Sequence, residues 1–234
     1  MNLDDLVELN WRIANREPVA VVTALEVGLE PGDRVVIVSP DEVSTQYYAE
    51  QLREAFRTGK SGLVEVEGRR FFLNIHLPPV KLIVTGAVHI SQALAEMARL
   101  TGLDCTIIDP RTAFATPERF PNVTLLAEWP DQAFMRVKPD RFTAFVALTH
   151  DPKIDDPGLI AALRAGCFYI GALGSRKTHA KRVERLQSQG FTAEEIARIH
   201  APIGLDIGAV SPPEIAVSIL AEIISAMRAK RRAA

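Results

Sequence analysis

The chain has 234 residues, a formal net charge of −2 and 47% hydrophobic residues. This composition supplies a core for one large domain or two small ones, and the weak charge excludes an affinity for nucleic acid based on net charge alone. The sequence has no run of about 18 uninterrupted apolar residues, so no membrane span is predicted. The two cysteines, Cys105 and Cys167, lie in apolar runs, so we expect a reducing cytoplasm and no disulfide framework.

The first third of the chain predicts a small α+β domain over residues 1–77. Its helices are expected where apolar residues recur at helical spacing, and its strands where short apolar runs stand between turn residues. The predicted elements are a helix over 3–13, strands over 19–22 and 35–38, a helix from about Asp41 to Phe56, and a hairpin of strands 63–66 and 71–75 joined by Glu67-Gly68.

After Pro78-Pro79 the pattern changes to alternating strands and helices, which predicts a second domain over residues 80–234. The predicted strands cover 80–84, 105–108, 123–126, 142–148 and 167–170. The predicted helices cover 90–100, a segment through 159–163, 177–188, 192–199 and 212–229. This alternation favours an α/β fold with a Rossmann-like, doubly wound parallel sheet of strand order 3-2-1-4-5.

The segment 169–179 carries the clearest binding signal. It reads Tyr-Ile-Gly-Ala-Leu-Gly-Ser-Arg-Lys-Thr-His, a buried strand followed by glycines and a basic helix. Glycines allow close approach of the backbone, a serine cap leaves helix N–H groups facing a ligand, and the cations add charge, all of which suit a phosphate. The alternative is a glycine-rich turn with solvated charges. The candidate anion-binding residues are Gly171, Gly174, Ser175, Arg176 and Lys177.

Polar residues also follow the other strands of the predicted sheet, where ligands of doubly wound folds bind. They are Gly86, His89, Asp109, Arg111, Thr149, His150 and Asp151. His89, His150 and Asp151 could form an acid–base set, a weak metal site or hydrogen bonds to a polar ligand. Because no cysteine or glutamate stands at metal-ligand spacing beside them, no metal is predicted, and no catalytic residue is assigned.

The turn after the first of these strands partly matches a dinucleotide fingerprint. The pattern Gly-x-Gly-x-x-Gly begins at Gly86 but has Val88 and Ser91 at the later glycine positions. Asp109 stands where a ribose-binding acid belongs, and Arg111 could contact a phosphate. An NAD(P)-binding oxidoreductase is therefore the alternative function, and a small hydrolase using the histidines is a third.

The later part of the basic helix is expected to be a solvated face or a partner contact. It carries Lys181, Arg182 and Arg185, whereas Val183 and Leu186 should face inward. Ser211, Pro212 and Glu214 form a capping-box pattern at the start of the last helix.

Three motifs resemble the XdhC/CoxI family of accessory proteins. They are Thr149-His-Asp-Pro-Lys-Ile-Asp-Asp-Pro, the segment 169–179, and Ile199-His-Ala-Pro-Ile-Gly-Leu-Asp-Ile-Gly-Ala. The resemblance covers roughly residues 80–229. It implies a non-catalytic factor that binds molybdenum cofactor (molybdopterin), protects it, supports its sulfuration, and delivers it to a molybdenum hydroxylase apoenzyme of the xanthine dehydrogenase or carbon monoxide dehydrogenase type. It also implies a homodimer and a sulfurtransferase as a further partner.

The chain departs from the family pattern at two places. Members carry Gly-x-Gly-His after the first strand, whereas this chain has Gly86-Ala-Val-His89. Members also carry a Ser-Gly-Gly-Cys segment in the N-terminal domain, but here no cysteine precedes Cys105. A thiolate at a helix N-terminus is the reactive group that such a segment would supply.

Overall fold

The structure, a computed structural model, describes residues 1–25, 35–43 and 47–233, with the side chains of the last helix described up to Ala229. Contacts divide the chain into two compact units, Met1–Pro78 with Ala229–Ala234, and Pro79–Arg228. That these units correspond to two folding domains over 1–77 and 80–234 stays a prediction. No helix within the described ranges is long and apolar enough to cross a membrane.

The first unit is built on an antiparallel sheet of four strands in the order β2-β1-β4-β3. Its elements are α1 (Leu3–Ala14), β1 (Val19–Ala24), β2 (Val35–Val38), α2 (Ala49–Thr58), β3 (Gly62–Val66) and β4 (Arg69–His76). Leu52 of α2 packs with Val22, Phe71 and Leu73 in one buried cluster. The predicted hairpin is confirmed, since Glu67 and Gly68 both take positive φ in the turn between β3 and β4.

The predicted helix from about Asp41 to Phe56 is wrong in its first half. A short 3-10 helix covers Pro40–Glu42, Val43 is not helical, and α2 begins only at Ala49. Residues 44–46 lie outside the described residues. The 3-10 turn is favoured locally because the carboxylate of Glu42 accepts the N–H of Ser39, a bond that closes a single turn rather than propagating a helix.

The second unit contains a parallel sheet of six strands with helices on both faces. The strands are β5 (Lys81–Thr85), β6 (Asp104–Ile108), β7 (Thr124–Leu126), β8 (Thr143–Ala147), β9 (Tyr169–Ala172) and β10 (Ile199–His200). The helices are α3 (His89–Leu100), α4 (Pro130–Val137), α5 (Pro152–Arg164), α6 (Arg176–Ser188), α7 (Ala193–Ile196) and α8 (Pro212–Ala233).

The strand order is β10-β9-β8-β5-β6-β7, which confirms the predicted doubly wound arrangement and adds a short sixth strand. Side chains alternate between the two faces along each strand. Leu82 and Val84 pack with the cluster that contains residues of α3 and α8, while Ile83 packs with residues of α4, α5 and α6. The order reverses between β5 and β8, so the carboxyl ends of these strands flank the crevice where such folds bind ligands.

Two predicted boundaries in this unit are corrected. The predicted helix over 192–199 is the four-residue α7, followed by β10, because Ile199 and His200 pair with Ile170 and Gly171 at the sheet edge. Helix α4 was not predicted, although Pro130 at its first turn and buried Phe134 are ordinary helix signals.

Candidate functional site

Gly86 brings the loops after β5 and β8 into direct contact. It has φ of +110°, and a Cβ atom there would lie 2.8 Å from Cγ2 of Thr149 and 3.2 Å from its backbone nitrogen. Only glycine satisfies both the left-handed backbone and this spacing. The glycine is therefore explained by packing of one loop on the other, and the predicted residues Gly86 and Thr149 do meet at the switch point.

Asp109 and Arg111 form a closed, internal pair. Asp109 is fully buried, and its carboxylate accepts hydrogen bonds from the backbone N–H of Ala87 (2.7 Å) and Arg111 (2.9 Å) and from Nε and Nη2 of Arg111 (2.9 and 2.7 Å). Burial alone would raise the pKa of Asp109, but these bonds lower it below its ordinary value. Both carboxylate oxygens are already used by the protein, so the carboxylate holds the β5–α3 turn.

The turn between β5 and α3 is closed by its own side chains. The hydroxyl of Ser91 accepts the N–H of Val88 and contacts the carbonyl of Gly86 at 2.7 Å. Arg119, which sequence reasoning did not select, donates to the carbonyl of Ala87 at 3.0 Å. No pattern in the sequence connects Arg119 to this turn, because it lies on a loop beyond β6.

His89, His150 and Asp151 are all exposed, and no hydrogen bond joins them to one another in the part of the chain that the structure describes. Asp151 is the N-cap of α5 and accepts the N–H of Lys153 at 2.9 Å. Thr149 is buried and its hydroxyl accepts the N–H of Asp151 at 3.1 Å. No group of three potential metal-binding side chains occurs among residues 1–25, 35–43 and 47–233.

The segment between β9 and α6 has the predicted strand–turn–helix form. Ser175 caps α6, because its hydroxyl accepts the N–H of Thr178 at 3.2 Å. Gly174 takes φ of +129°, which a residue with a side chain rarely adopts. At Gly171 a Cβ would lie 2.5 Å from the side chain of Ile203, so packing alone requires a glycine there. Arg176 and Lys177 are exposed in the first turn of α6.

A pocket of about 280 Å³ lies between α5 and α6, next to this cap. We call it the α5–α6 pocket. Its charged and titratable lining consists of His150, Asp155, Lys177, Lys181, Arg182 and Arg185. It brings together two residues predicted as site residues, from the segments after β8 and β9, with later residues of the basic helix.

Arg182 contradicts the expectation that the later charges of α6 form a solvated face. Its side chain is only 3% exposed, and of its guanidinium nitrogens Nη2 donates to the carbonyl of Leu173 at 3.0 Å. Nε and Nη1 are buried and have no hydrogen-bond partner in the part of the chain that the structure describes. Burial lowers the pKa of Arg182, and the nearby carboxylates of Asp155 and Asp156 only partly offset this effect. An unpaired buried charge of this kind is costly to the folded state.

Asp155 lies on the other wall and is also buried. Its Oδ1 accepts from the hydroxyl of Thr85 and the N–H of Thr149, both at 3.3 Å. Burial raises its pKa to about 7, although the threonine hydrogen bonds and the charge of Arg182 oppose the rise. Sequence reasoning missed Asp155. The signal was its position four residues after the cap Asp151, one helical turn further along α5.

The two lysines of the pocket, Lys177 and Lys181, differ from Arg185 in their ion pairing. Arg185 makes a bidentate ion pair with Asp156, with distances of 2.5 and 3.0 Å. Lys177 and Lys181 are exposed and take part in no ion pair within the described ranges. The spacing of 177, 181 and 185 places these residues on one face of α6, a pattern visible in the sequence. The orientation of this face toward α5 depends on tertiary packing and is not visible in the sequence.

The parallel sheet and the reversal of its strand order between β5 and β8 define a Rossmann-type α/β domain. Residues 82–223 match the family model of the XdhC Rossmann domain, a match that covers more than half of the chain. The chain belongs to the XdhC family.

Two curated relatives share 34% identity with the chain over 148 residues. One is the molybdenum cofactor insertion chaperone PaoD of Escherichia coli K12, where the match covers 63% of this chain and 40% of PaoD. The other is a protein of Bacillus subtilis 168 named as a probable xanthine dehydrogenase component, where it covers 63% of this chain and 43% of that protein. The chain thus spans less than half the length of these relatives.

A crystal structure described as a xanthine dehydrogenase from Bacillus halodurans has the same fold. It matches with a TM-score of 0.64 over 97% of this chain and 64% of that one, at 23% identity. At this identity the likeness establishes the fold alone, and it extends over both units.

Proposed function

We propose that the chain is a maturation factor for a molybdenum hydroxylase of the xanthine dehydrogenase or carbon monoxide dehydrogenase type. It binds molybdenum cofactor, or a related ligand that carries a phosphate, and delivers it to the apoenzyme. The observation that carries the proposal is membership of the XdhC family through residues 82–223. The chaperone PaoD, which shares 34% identity, supports the same role.

The residues at the β9–α6 turn fit the phosphate of such a cofactor. Backbone N–H groups at the start of α6, the charge of Lys177 and the unpartnered nitrogens of Arg182 are the donors that an anionic oxygen needs. The cofactor would supply redox chemistry to the client enzyme after its transfer. The role of this chain is to bind the cofactor, orient it and shield it from water.

Sulfuration of the cofactor would require a partner. The chain has two cysteines, Cys105 and Cys167, and both are buried in the second unit. Burial raises the pKa of Cys105 to about 12, which disfavours the nucleophilic thiolate. We therefore propose a sulfurtransferase as a second partner beside the apoenzyme, and we propose that the factor acts as a homodimer in the cytoplasm.

Titration with molybdopterin under anaerobic conditions, followed by fluorescence, tests the proposal. We expect saturable binding, and we expect the double substitution Arg176→Ala with Lys177→Ala to weaken it about tenfold or more while changing the melting temperature by little, because both side chains are exposed. The absence of saturable binding by the unsubstituted protein would overturn the proposed function. A large loss of stability with unchanged affinity would make the two residues structural.

The residues after β5 do not fit a nicotinamide dinucleotide in its usual pose. The two oxygens of Asp109, which such a ligand would need for its ribose, accept four hydrogen bonds from Arg111 and Ala87. No observation in the described structure favours an oxidoreductase. Calorimetric titration with NADH and NADPH checks this conclusion, and we expect no heat beyond dilution.

A further inference from the structure

We infer that the α5–α6 pocket binds a phosphate monoester and that Arg182 is its principal ligand residue. The inference rests on the proposed function, because it assigns the phosphate of the cofactor to this pocket. It can be tested separately from the proposed function, because it concerns the recognition of one chemical group.

The pocket carries a surplus of positive charge. Arg185 is neutralised by Asp156, with which it forms a bidentate pair. Three cations are then left in the lining, Lys177, Lys181 and Arg182, and they face the carboxyl group of Asp155. The surplus of positive charge matches a dianion, which is the form of a phosphate monoester near neutral pH.

Arg182 is a buried cation in the lining of the pocket. A guanidinium group that is 97% buried normally satisfies its N–H groups with carboxylates or carbonyls, and buried polar atoms without a partner are rare. Here, among the described residues, the group donates one hydrogen bond, from Nη2 to the carbonyl of Leu173. Nε and Nη1 have no hydrogen-bond partner among the described residues, so each can donate to an oxygen of an anion.

The pocket is small and lies at the start of α6. Lys177 and Thr178 in its lining belong to the first turn of α6, where N–H groups favour negative charge. Its volume of about 280 Å³ is slightly smaller than the roughly 300 Å³ of the smallest pockets that enclose a whole small molecule. The pocket therefore suits a terminal phosphate, with the rest of the ligand lying outside it.

Asp155 is compatible with an anion in this position. Because burial raises its pKa to about 7, a substantial fraction of the carboxyl group is protonated near neutrality. In that form it adds no negative charge, and its O–H can donate a hydrogen bond to a phosphate oxygen.

Calorimetric titration of the full chain with inorganic phosphate, methyl phosphate and dimethyl phosphate, in a buffer free of phosphate and sulfate, tests the inference. We expect inorganic phosphate and methyl phosphate to bind saturably and the diester, a monoanion, to bind at least about tenfold more weakly. Binding of the diester as tight as that of the monoester would overturn the assignment. So would binding of inorganic phosphate alone, because the site would then exclude esters.

The variants Arg182→Met and Arg182→Lys separate recognition from structure. We expect Arg182→Met to reduce phosphate affinity at least about tenfold and to keep or raise the melting temperature, because it removes an unpaired buried charge. Arg182→Lys should retain part of the affinity. If Arg182→Met does not fold, Lys177→Gln with Lys181→Gln, both at exposed positions, carries the same test.

The matched control is Arg164→Gln, which removes one exposed positive charge from the other end of α5 and should change the affinity by less than about twofold. Unchanged phosphate affinity in Arg182→Met would overturn the inference. If phosphate binds through Arg182 and molybdopterin does not bind, the proposed function fails and the phosphate site stands. If molybdopterin binds and phosphate does not, the proposed function stands and the phosphate site fails.

Discussion

Asp155 and Arg182 are buried on facing helices, and no hydrogen bond joins them. Burial raises the pKa of Asp155 and lowers that of Arg182, so the protein interior disfavours the charge on both groups. A hydrogen-bonded ion pair would instead have lowered the pKa of Asp155 and raised that of Arg182. This arrangement leaves the guanidinium group available to a ligand and makes folding stability depend on pH.

The substitution Asp155→Asn should remove that pH dependence. The pKa of Asp155 is raised from 3.8 to about 7 on folding, so between these values the folded state keeps a proton that the unfolded state releases. Asp155 therefore lowers the free energy of unfolding as pH rises from about 4 to about 7, at up to about 1.4 kcal/mol per pH unit. The stability of Asp155→Asn relative to the unsubstituted protein should rise across this window, measured by urea denaturation at several pH values. A difference independent of pH would contradict the assignment.

Residue types and spacings predicted some of the site correctly. The cap Ser175 was predicted from the serine that precedes a basic helix, and the structure confirms it. The partners of Asp109 could not be predicted, because they depend on how the β5–α3 turn closes in three dimensions. Arg182 was assigned to the wrong environment, since a charge on a polar helix is normally solvated and only packing against α5 reveals its burial.

Helix α5 is pressed closely on the sheet at Gly158. A Cβ atom there would lie 2.5 Å from Cζ and 3.0 Å from Cε2 of Phe145, a fully buried residue of β8. The glycine therefore sets the distance between α5 and β8, and with it the depth at which Asp155 meets Thr85 and Thr149.

We expect Gly158→Ala to destabilise the protein by about 1–2 kcal/mol. Alanine is preferred in a helix interior by about 1 kcal/mol, but overpacking in a close-packed core costs about 1–3 kcal/mol and outweighs that gain. The double substitution with Phe145→Leu should recover part of the loss, which a double-mutant cycle of unfolding free energies measures. An increase in stability from Gly158→Ala alone would show that α5 can move away from the sheet.

At the scale of elements, buried strands were predicted well and peripheral segments poorly. Strands β5 and β8 are continuous apolar runs covered on both faces, and such runs are readable without tertiary information. Strand β10 has only two residues, and its pairing with β9 is fixed by the carboxylate of Glu222, which bonds Tyr169 at 2.6 Å and His200 at 2.9 Å. No local pattern around Ile199 indicates that contact.

At the scale of the whole molecule, the two cysteines should report on opening of the fold. Cys105 and Cys167 are buried, and burial raises the pKa of Cys105 to about 12, so neither should react rapidly with Ellman's reagent in the native protein. We expect slow reaction under native conditions and two rapid equivalents in denaturant. Fast stoichiometric labelling of the native protein would contradict the burial of both thiols.

The organisation of the second unit was predictable as a whole. Alternating strand and helix patterns gave a doubly wound sheet, and the handedness of parallel crossovers left few other topologies. The sequence pointed to one end of the α5–α6 pocket through His150 and Lys177, whereas its extension along α6 to Arg185 depends on how α6 packs on α5.

The α5–α6 pocket also has a consequence for folding. Its lining comes entirely from residues 150–185, so its walls require only short loop closures, which are kinetically fast. Asp155 nevertheless bonds Thr85, a residue 70 positions earlier in the chain. Helices α5 and α6 can therefore come together early, whereas Asp155 acquires its native hydrogen bond to Thr85 only when β5 docks into the sheet.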